Sequence, residues 1–267
     1  MRYAVTIGAA GEARDPRTMA DLAALAEASG WNAMLLEDYV VYRGMDEVPT
    51  YDPWVVLAAM AMVTTTIRLG TNVTPLPRRR PWKLACEAVA LDHLSGGRLI
   101  LGVGLGDLGD PGFASVGECT DRKVQAELLD EGLELLDHLW SGQPVTYAGR
   151  HYRVDGLRLS AIPVQDPRIP IWVGGSWRVG GVRRRVARWD GCQLLNVTSP
   201  DDVRDVLAMV ERVRGSAAGF DVGVPRQQGI GRLCALAEAG ATWSNEWIPP
   251  SDLAATRAAL RRGPLRV

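Results

Sequence analysis

The stretch from residue 67 to 106, IRLGTNVTPLPRRRPWKLACEAVALDHLSGGRLILGVGLG, most constrains what this chain can fold into. It reads as strand, proline-bracketed loop, helix, glycine cap and second strand, which is one complete β-α-β unit. Both strands run into polar or glycine-rich segments: Thr71, Asn72 and Thr74 after the first, and Gly102, Gly104 and Gly106 after the second. In parallel α/β sheets these are the ends where ligands bind.

Similar apolar runs recur at residues 3–7, 33–36, 67–73, 99–103, 169–173, 192–197, 220–224 and 241–247, each followed by a helical pattern. The runs are short and mostly continuous, as expected of strands buried on both faces. Asp15-Pro16, Asp52-Pro53 and Ser199-Pro200 each supply an N-cap followed by proline at the first helical position. The alternation shows no composition break or linker. It predicts one closed (β/α)8 barrel of the TIM type, a single domain over residues 1–267, and about 250 residues is the usual size of such a barrel. One irregularity interrupts the period: residues 145 to 154 read as a hairpin with a glycine turn, inserted between the fourth helix and the fifth strand.

Composition excludes several function classes. The net charge of −1 and pI of 6.3 give no global field that would draw nucleic acid or an anionic membrane. The longest apolar run, residues 55–63, is too short to span a membrane. Near the N-terminus Glu12 and Asp15 cut the apolar run short, which suits a first strand better than a signal peptide. Cys86, Cys119, Cys192 and Cys234 form no C-x-x-C pair, and a reduced, cytoplasmic setting is expected.

The chemistry must then be sought at the strand ends. Gly104, Gly106 and Gly109 satisfy G-x-G-x-x-G, but Asp110-Pro111-Gly112 follow where a dinucleotide-binding helix should open, so the segment reads as a loop at the barrel mouth. Gly174-Gly175-Ser176 is the better anion site, since a strand runs into it and a helix is expected near Trp177. Backbone N–H groups, the helix dipole, the Ser176 hydroxyl and Arg178 would all attract a phosphate; a tight turn without ligand is the alternative. Glu37-Asp38-Tyr39 at the end of the second strand and Glu246 near the end of the eighth stand where a barrel carries its catalytic groups, to orient a ligand ring or move protons; helix-entry or loop residues are the alternative. Arg78-Arg79-Arg80 reads equally as an anion clamp or a solvated loop. His93, His138 and His151 lie away from strand ends, so no metal site is expected, and no nucleophile-base pair suggests a hydrolase. A polar rim without a metal set points to an organic cofactor.

Four segments, ALAEASGWNAMLLEDY, the run from YDPWVV to LILGVG, LLDHLWSGQPVTYAGRHYRV, and IPIWVGGSWRVGGVRRRVARWDG, together resemble the bacterial luciferase-like family of flavin-dependent oxidoreductases. That resemblance implies a TIM-type barrel with a flavin or deazaflavin ring at its C-terminal mouth. Asp38 would lie near the ring, Val73-Thr74 would form a supporting bulge, often with a non-prolyl cis peptide, Gly104 would border the ring, and Gly174-Gly175 would receive the cofactor phosphate. With their polar neighbours Thr71, Asn72, Ser176 and Arg178, these complete the expected cofactor-binding set. Asp38, Tyr39 and Glu246 are the expected catalytic residues, Glu246 on strand-end position alone. The implied function is that of a monooxygenase using reduced FMN and O2 on a small organic substrate. F420-dependent hydride transfer is the alternative, and non-catalytic flavin binding a third reading. A homodimer and a flavin reductase as electron source are the implied partners. Many members carry histidine where Tyr39 stands, and the C-terminal half is shorter than in long members, implying a smaller or more open pocket.

Overall fold

The computed structural model describes residues 1–11, 14–226, 229–249 and 252–267. The barrel strands are β1 (Arg2–Gly8), β2 (Ala33–Glu37), β3 (Arg68–Thr71) continued by β4 (Thr74–Pro75), β5 (Leu99–Gly104), β8 (Ile171–Gly175), β9 (Gly191–Leu194), β10 (Asp221–Pro225) and β11 (Trp243–Ile248). Each pairs in parallel with its neighbours, and β5 pairs with both β3 and β4 on one side and β8 on the other, which closes the ring. Helices α1 (Pro16–Ala28), α2 (Pro53–Val63), α3 (Pro81–Ser95), α4 (Arg122–Leu139), α5 (Gly180–Val186), α6 (Pro200–Arg214), α7 (Ile230–Glu238) and α8 (Leu253–Arg262) follow the strands in turn. Between α4 and β8 the chain forms an antiparallel pair, β6 (Val145–Ala148) with β7 (Arg153–Leu157). Among the described residues no helix is long and apolar enough to cross a membrane.

Local chemistry sets the helix starts. The Asp15 carboxylate accepts from the N–H groups of Arg17 and Thr18, and Asp52 from those of Trp54 and Val55, while Ser199 and Asp202 form a reciprocal capping box. Two expectations shift. The third strand run breaks after Thr71, and the helix expected near Trp177 begins only at Gly180 and is seven residues long.

Alternation along the strands sorts side chains between two cores. Outward-facing Val5, Leu36, Leu69, Leu101, Val173 and Val222 are fully buried under the helices. The barrel interior is filled lower down by Ala4, Ala33, Leu35, Ile100, Trp172 and Trp243, with the two indoles edge to face at 5.2 Å. Space there is so limited that a Cβ on Gly70 would lie 2.1 Å from the Ile100 carbonyl oxygen, and one on Gly102 1.9 Å from that of Thr71. Above this packed floor a cavity opens at the C-terminal mouth.

Candidate active site

Above the tryptophan layer the cavity encloses about 770 Å³, within the usual range for a small-molecule site. Its base is the interruption between β3 and β4, where the Asn72–Val73 peptide is cis, one bond earlier than the Val73-Thr74 bulge that the resemblance implied. The Val73 side chain reaches across two glycines. A Cβ on Gly174 would meet Val73 Cγ1 at 2.3 Å, and one on Gly104 would meet Cγ2 at 2.7 Å. Bare backbone at 104 and 174 is therefore what allows an isopropyl group to form a smooth platform.

Polar groups ring this platform. The Thr6 hydroxyl lies 2.9 Å from Asn245 Nδ2 and 3.2 Å from Asn72 Nδ2, joining β1, β11 and the end of β3. Gln193 also lines the cavity, is 8% exposed, and its Oε1 is buried without a hydrogen-bond partner among the described residues. An unpaired buried amide is costly unless a ligand satisfies it. Neither Gln193 nor Thr6 stood out in the sequence; a polar residue at an interior-facing position of an apolar strand was their one signal. Arg185 was missed as well. It lines the cavity from α5, 5% exposed, and its guanidinium donates to the Asp130 carboxylate at 2.6 and 2.9 Å.

Of the expected cofactor residues, Asp38, Asn72, Val73, Gly104, Gly174, Gly175 and Ser176 line the cavity. Thr71, Thr74 and Arg178 do not. Thr71 is buried and donates its hydroxyl to the Gly102 carbonyl at 2.8 Å, Thr74 is wholly buried, and Arg178 is exposed and lies outside the lining.

The catalytic expectations fare unevenly for reasons of geometry. Asp38 has a side chain 1% exposed, and its carboxylate accepts from Arg79 Nε and Nη2 and from Arg78 Nη2 at 2.8 to 3.1 Å. With both oxygens engaged by two guanidiniums it holds the loop after β4 and is not placed as an acid or base. Arg78 bridges on to Asp110, which also accepts from the N–H groups of Val40, Val41 and Gly112. Burial would raise the Asp110 pKa, but those three N–H groups and Arg78 outweigh it and hold the carboxyl below its ordinary value. Thus Arg78 and Arg79 are neither an anion clamp nor solvated; they clasp the loops after β2, β4 and β5 together.

Glu246 sits on the opposite parity from Asn245 and Trp247. The alternation turns it away from the cavity to Arg226 Nε at 3.1 Å and to Arg262 of α8, so it is not a rim acid. Glu246→Gln is expected to leave turnover within about twofold and to cost about 0.5–1 kcal/mol of stability, since both arginines are half exposed. A urea melt beside a kinetic assay checks both.

Tyr39 does line the cavity, its hydroxyl 3.3 Å from Asp107 Oδ2 and its ring edge to face with Tyr42. Burial, and then the negative charges of Asp107 and Glu37, push the phenol up to about 12. It is a neutral hydrogen-bond donor at ordinary pH and cannot serve as a base there. Tyr39→Phe is expected to change turnover by the same factor across about pH 6 to 9; a ratio that varies with pH would contradict this.

With that geometry in view, comparison with known proteins is direct. Residues 2–258 match the model of a family described as luciferase-like monooxygenase. The F420-dependent glucose-6-phosphate dehydrogenase of Nakamurella multipartita is 32% identical over 177 residues, covering 63% of this chain and 49% of that protein. The 4-hydroxyprotoasukamycin monooxygenase of Streptomyces nodosus subsp. asukaensis is 35% identical over 133 residues, 49% of this chain and 35% of that one. The alignment spans about half the length of the F420-dependent dehydrogenases. Coenzyme F420-dependent tetrahydromethanopterin reductase from Methanopyrus kandleri shares the fold with a TM-score of 0.77 at 17% identity, over 97% of this chain and 96% of that one. The closed barrel, the interrupted third strand beneath the cavity and the match over nearly the whole length agree: this chain belongs to the luciferase-like monooxygenase family.

Proposed function

We propose that the chain is an oxidoreductase that transfers hydride to or from the deazaflavin F420 at the cavity above Val73. Sequence alone ranks reduced FMN with O2 first, and one observation supports the opposite order. The mouth is open: Val179, Leu195 and Trp247 line the cavity yet are 54%, 71% and 44% exposed. Oxygen activation requires a site that excludes water, whereas hydride transfer tolerates a more open one. The dehydrogenases aligned above are named as F420-dependent, which supports the same reading. FMN-dependent oxygenation is the second reading, favoured by the Streptomyces monooxygenase.

The residues fit a planar ring. Val73 offers an apolar support, Gly104 and Gly174 leave its flanks bare, and the Gln193 amide oxygen lacks, among the described residues, a donor that a polar ring edge would provide. When bound, the deazaflavin supplies a two-electron hydride donor or acceptor. The Gly174-Gly175-Ser176 turn would receive its phosphate through backbone N–H groups. Ser176 there donates its hydroxyl to Asn196 Oδ1, which orients the turn. Tyr39 lines the same cavity as a neutral phenol whose O–H is donated to Asp107.

Titration of the purified chain with F420 and with FMN, followed by absorbance and fluorescence, tests the assignment. F420 is expected to bind at least tenfold more tightly. Tighter FMN binding, with O2 consumed in step with product formation, would replace this reading with the second.

A further inference from the structure

With Asp38 engaged by two arginines and Glu246 turned outward, the cavity wall retains another carboxylate, Glu37. It ends β2 on the interior-facing parity, and its side chain is 11% exposed. Tyr42 donates its hydroxyl to Oε2 at 2.9 Å, and Trp247 Nε1 donates to the same oxygen at 3.2 Å. Gly8 makes the arrangement possible, because a Cβ there would stand 2.6 Å from the Tyr42 ring and 3.3 Å from Glu37 Oε2.

The other oxygen, Oε1, accepts from Arg43 Nη2 at 3.2 Å. Arg43 differs from the two arginines on Asp38: its side chain is 45% exposed and lies over the rings of Trp247 and Tyr42 at 4.7 and 5.5 Å. Its backbone, at φ 51° and ψ 30°, occupies the left-handed region that disfavours side-chain-bearing residues. Such conformations gather at ligand clamps. Glu37 thus has one oxygen accepting from Tyr42 and Trp247 and the other paired with a half-exposed guanidinium, while Leu105, Val179 and Leu195 make the adjoining wall apolar.

We propose that Glu37 accepts the hydroxyl proton of a neutral, apolar alcohol, and that Arg43 caps its free oxygen until the substrate displaces the guanidinium. The inference rests on the hydride-transfer reading for the fate of the electrons. The O–H proton passes to Glu37 Oε1, the C–H bond breaks with its electron pair as hydride to the oxidised deazaflavin, and the C=O bond forms. The alcohol is oxidised and the deazaflavin reduced. Tyr42 and Trp247 are positioning residues. Among the described residues Tyr39, Tyr42 and Arg43 interact electrostatically with this carboxylate.

The test begins without cofactor. Cyclohexanol and benzyl alcohol, with cyclohexanecarboxylate and benzoate as anionic counterparts, are titrated into the full chain, and Trp247 emission is taken as the difference from Trp247→Phe. The alcohols are expected to give a saturable change that Glu37→Gln weakens roughly tenfold or more, and the carboxylates none. Arg43→Gly suits the left-handed backbone and removes the cap, so it is expected to tighten alcohol binding. With F420 present, Glu37→Gln is expected to lower kcat roughly 10²- to 10⁴-fold for any alcohol turned over, with the F420 Kd unchanged within twofold. No saturable change with either alcohol, equal binding by wild type and Glu37→Gln, carboxylates bound more tightly than alcohols, or weaker alcohol binding by Arg43→Gly would each overturn the inference. Failure of the wild type to bind F420 would count against the cofactor reading alone, because the emission titration involves no cofactor.

Discussion

Arg78→Met is expected to lower the unfolding free energy by about 3–5 kcal/mol, the cost of breaking a buried ion pair from one side. The Arg78 side chain is 5% exposed and those of Asp38 and Asp110 are each 1% exposed, so water cannot replace the lost guanidinium. Asp38 would keep Arg79, but Asp110 would be left a buried anion facing three N–H groups alone. Asp38→Asn should also destabilise but by less, because Arg78 keeps Asp110 and Arg79 keeps Asp52 at 3.7 Å when the Asp38 charge is removed. Arg80→Met is the control: Arg80 is exposed and makes no ion pair among the described residues, so its effect should stay within about 0.5 kcal/mol. Urea denaturation of the three variants measures this contrast. The sign with pH follows from the depressed Asp110 pKa: its contribution is present above the unfolded value near 4 and is lost as pH falls through the folded one. The gap between wild type and Arg78→Met should therefore narrow in acid. Equal stabilities for Arg78→Met and Arg80→Met at neutral pH would refute the clasp.

The second large effect concerns the platform. Gly174→Ala places a Cβ 2.3 Å from Val73 Cγ1, and neither the strand nor the interrupted backbone of residues 72 to 74 can easily give way. Val73 must rotate up into the cavity, where the proposed ring would lie. Cofactor affinity is expected to fall roughly 100-fold, equivalent to about 2.7 kcal/mol, while the far-ultraviolet circular dichroism stays that of the wild type. Gly180→Ala and Gly181→Ala, where an added Cβ meets nothing within 4 Å, should bind as the wild type does. Undiminished binding by a folded Gly174→Ala protein would show that the ring does not sit over Val73.

The order of the strands and the helix starts at Asp15-Pro16, Asp52-Pro53 and Ser199-Pro200 were legible in the chain, whereas the break after Thr71 and the late start of α5 at Gly180 were not. Continuous apolar runs mark strands buried on both faces. The Asp-Pro and Ser-Pro pairs mark helix entries through contacts spanning two or three residues, and eight alternations without a break leave little but a closed barrel. Each of these signals is local or periodic. The family resemblance pointed to the same strand ends and to an interrupted third strand, which lies one peptide bond from the expected place.

Side-chain direction at the rim was decided only in three dimensions. Glu37 and Asp38 are adjacent and both border the cavity, yet the Glu37 carboxylate lies on the interior-facing parity of β2 while that of Asp38 is engaged by Arg78 and Arg79, because an error of one residue in register exchanges the two faces. The same alternation turns Glu246 outward between Asn245 and Trp247. The run Arg78-Arg79-Arg80 contains three identical side chains with two fates, and what separates them is Asp38, 40 residues away from Arg78, together with Asp110, 32 residues away. Gln193, Thr6 and Arg185 reach the cavity from strands and a helix far apart in sequence. The sequence by itself determined where this chain would make most of its strands and helices, and at which end of the barrel its polar loops would gather, since those rest on short-range periodicity and capping. The tertiary structure alone decided which charges are buried against one another and which face the cavity, because Coulombic and packing partners are chosen by distance in space.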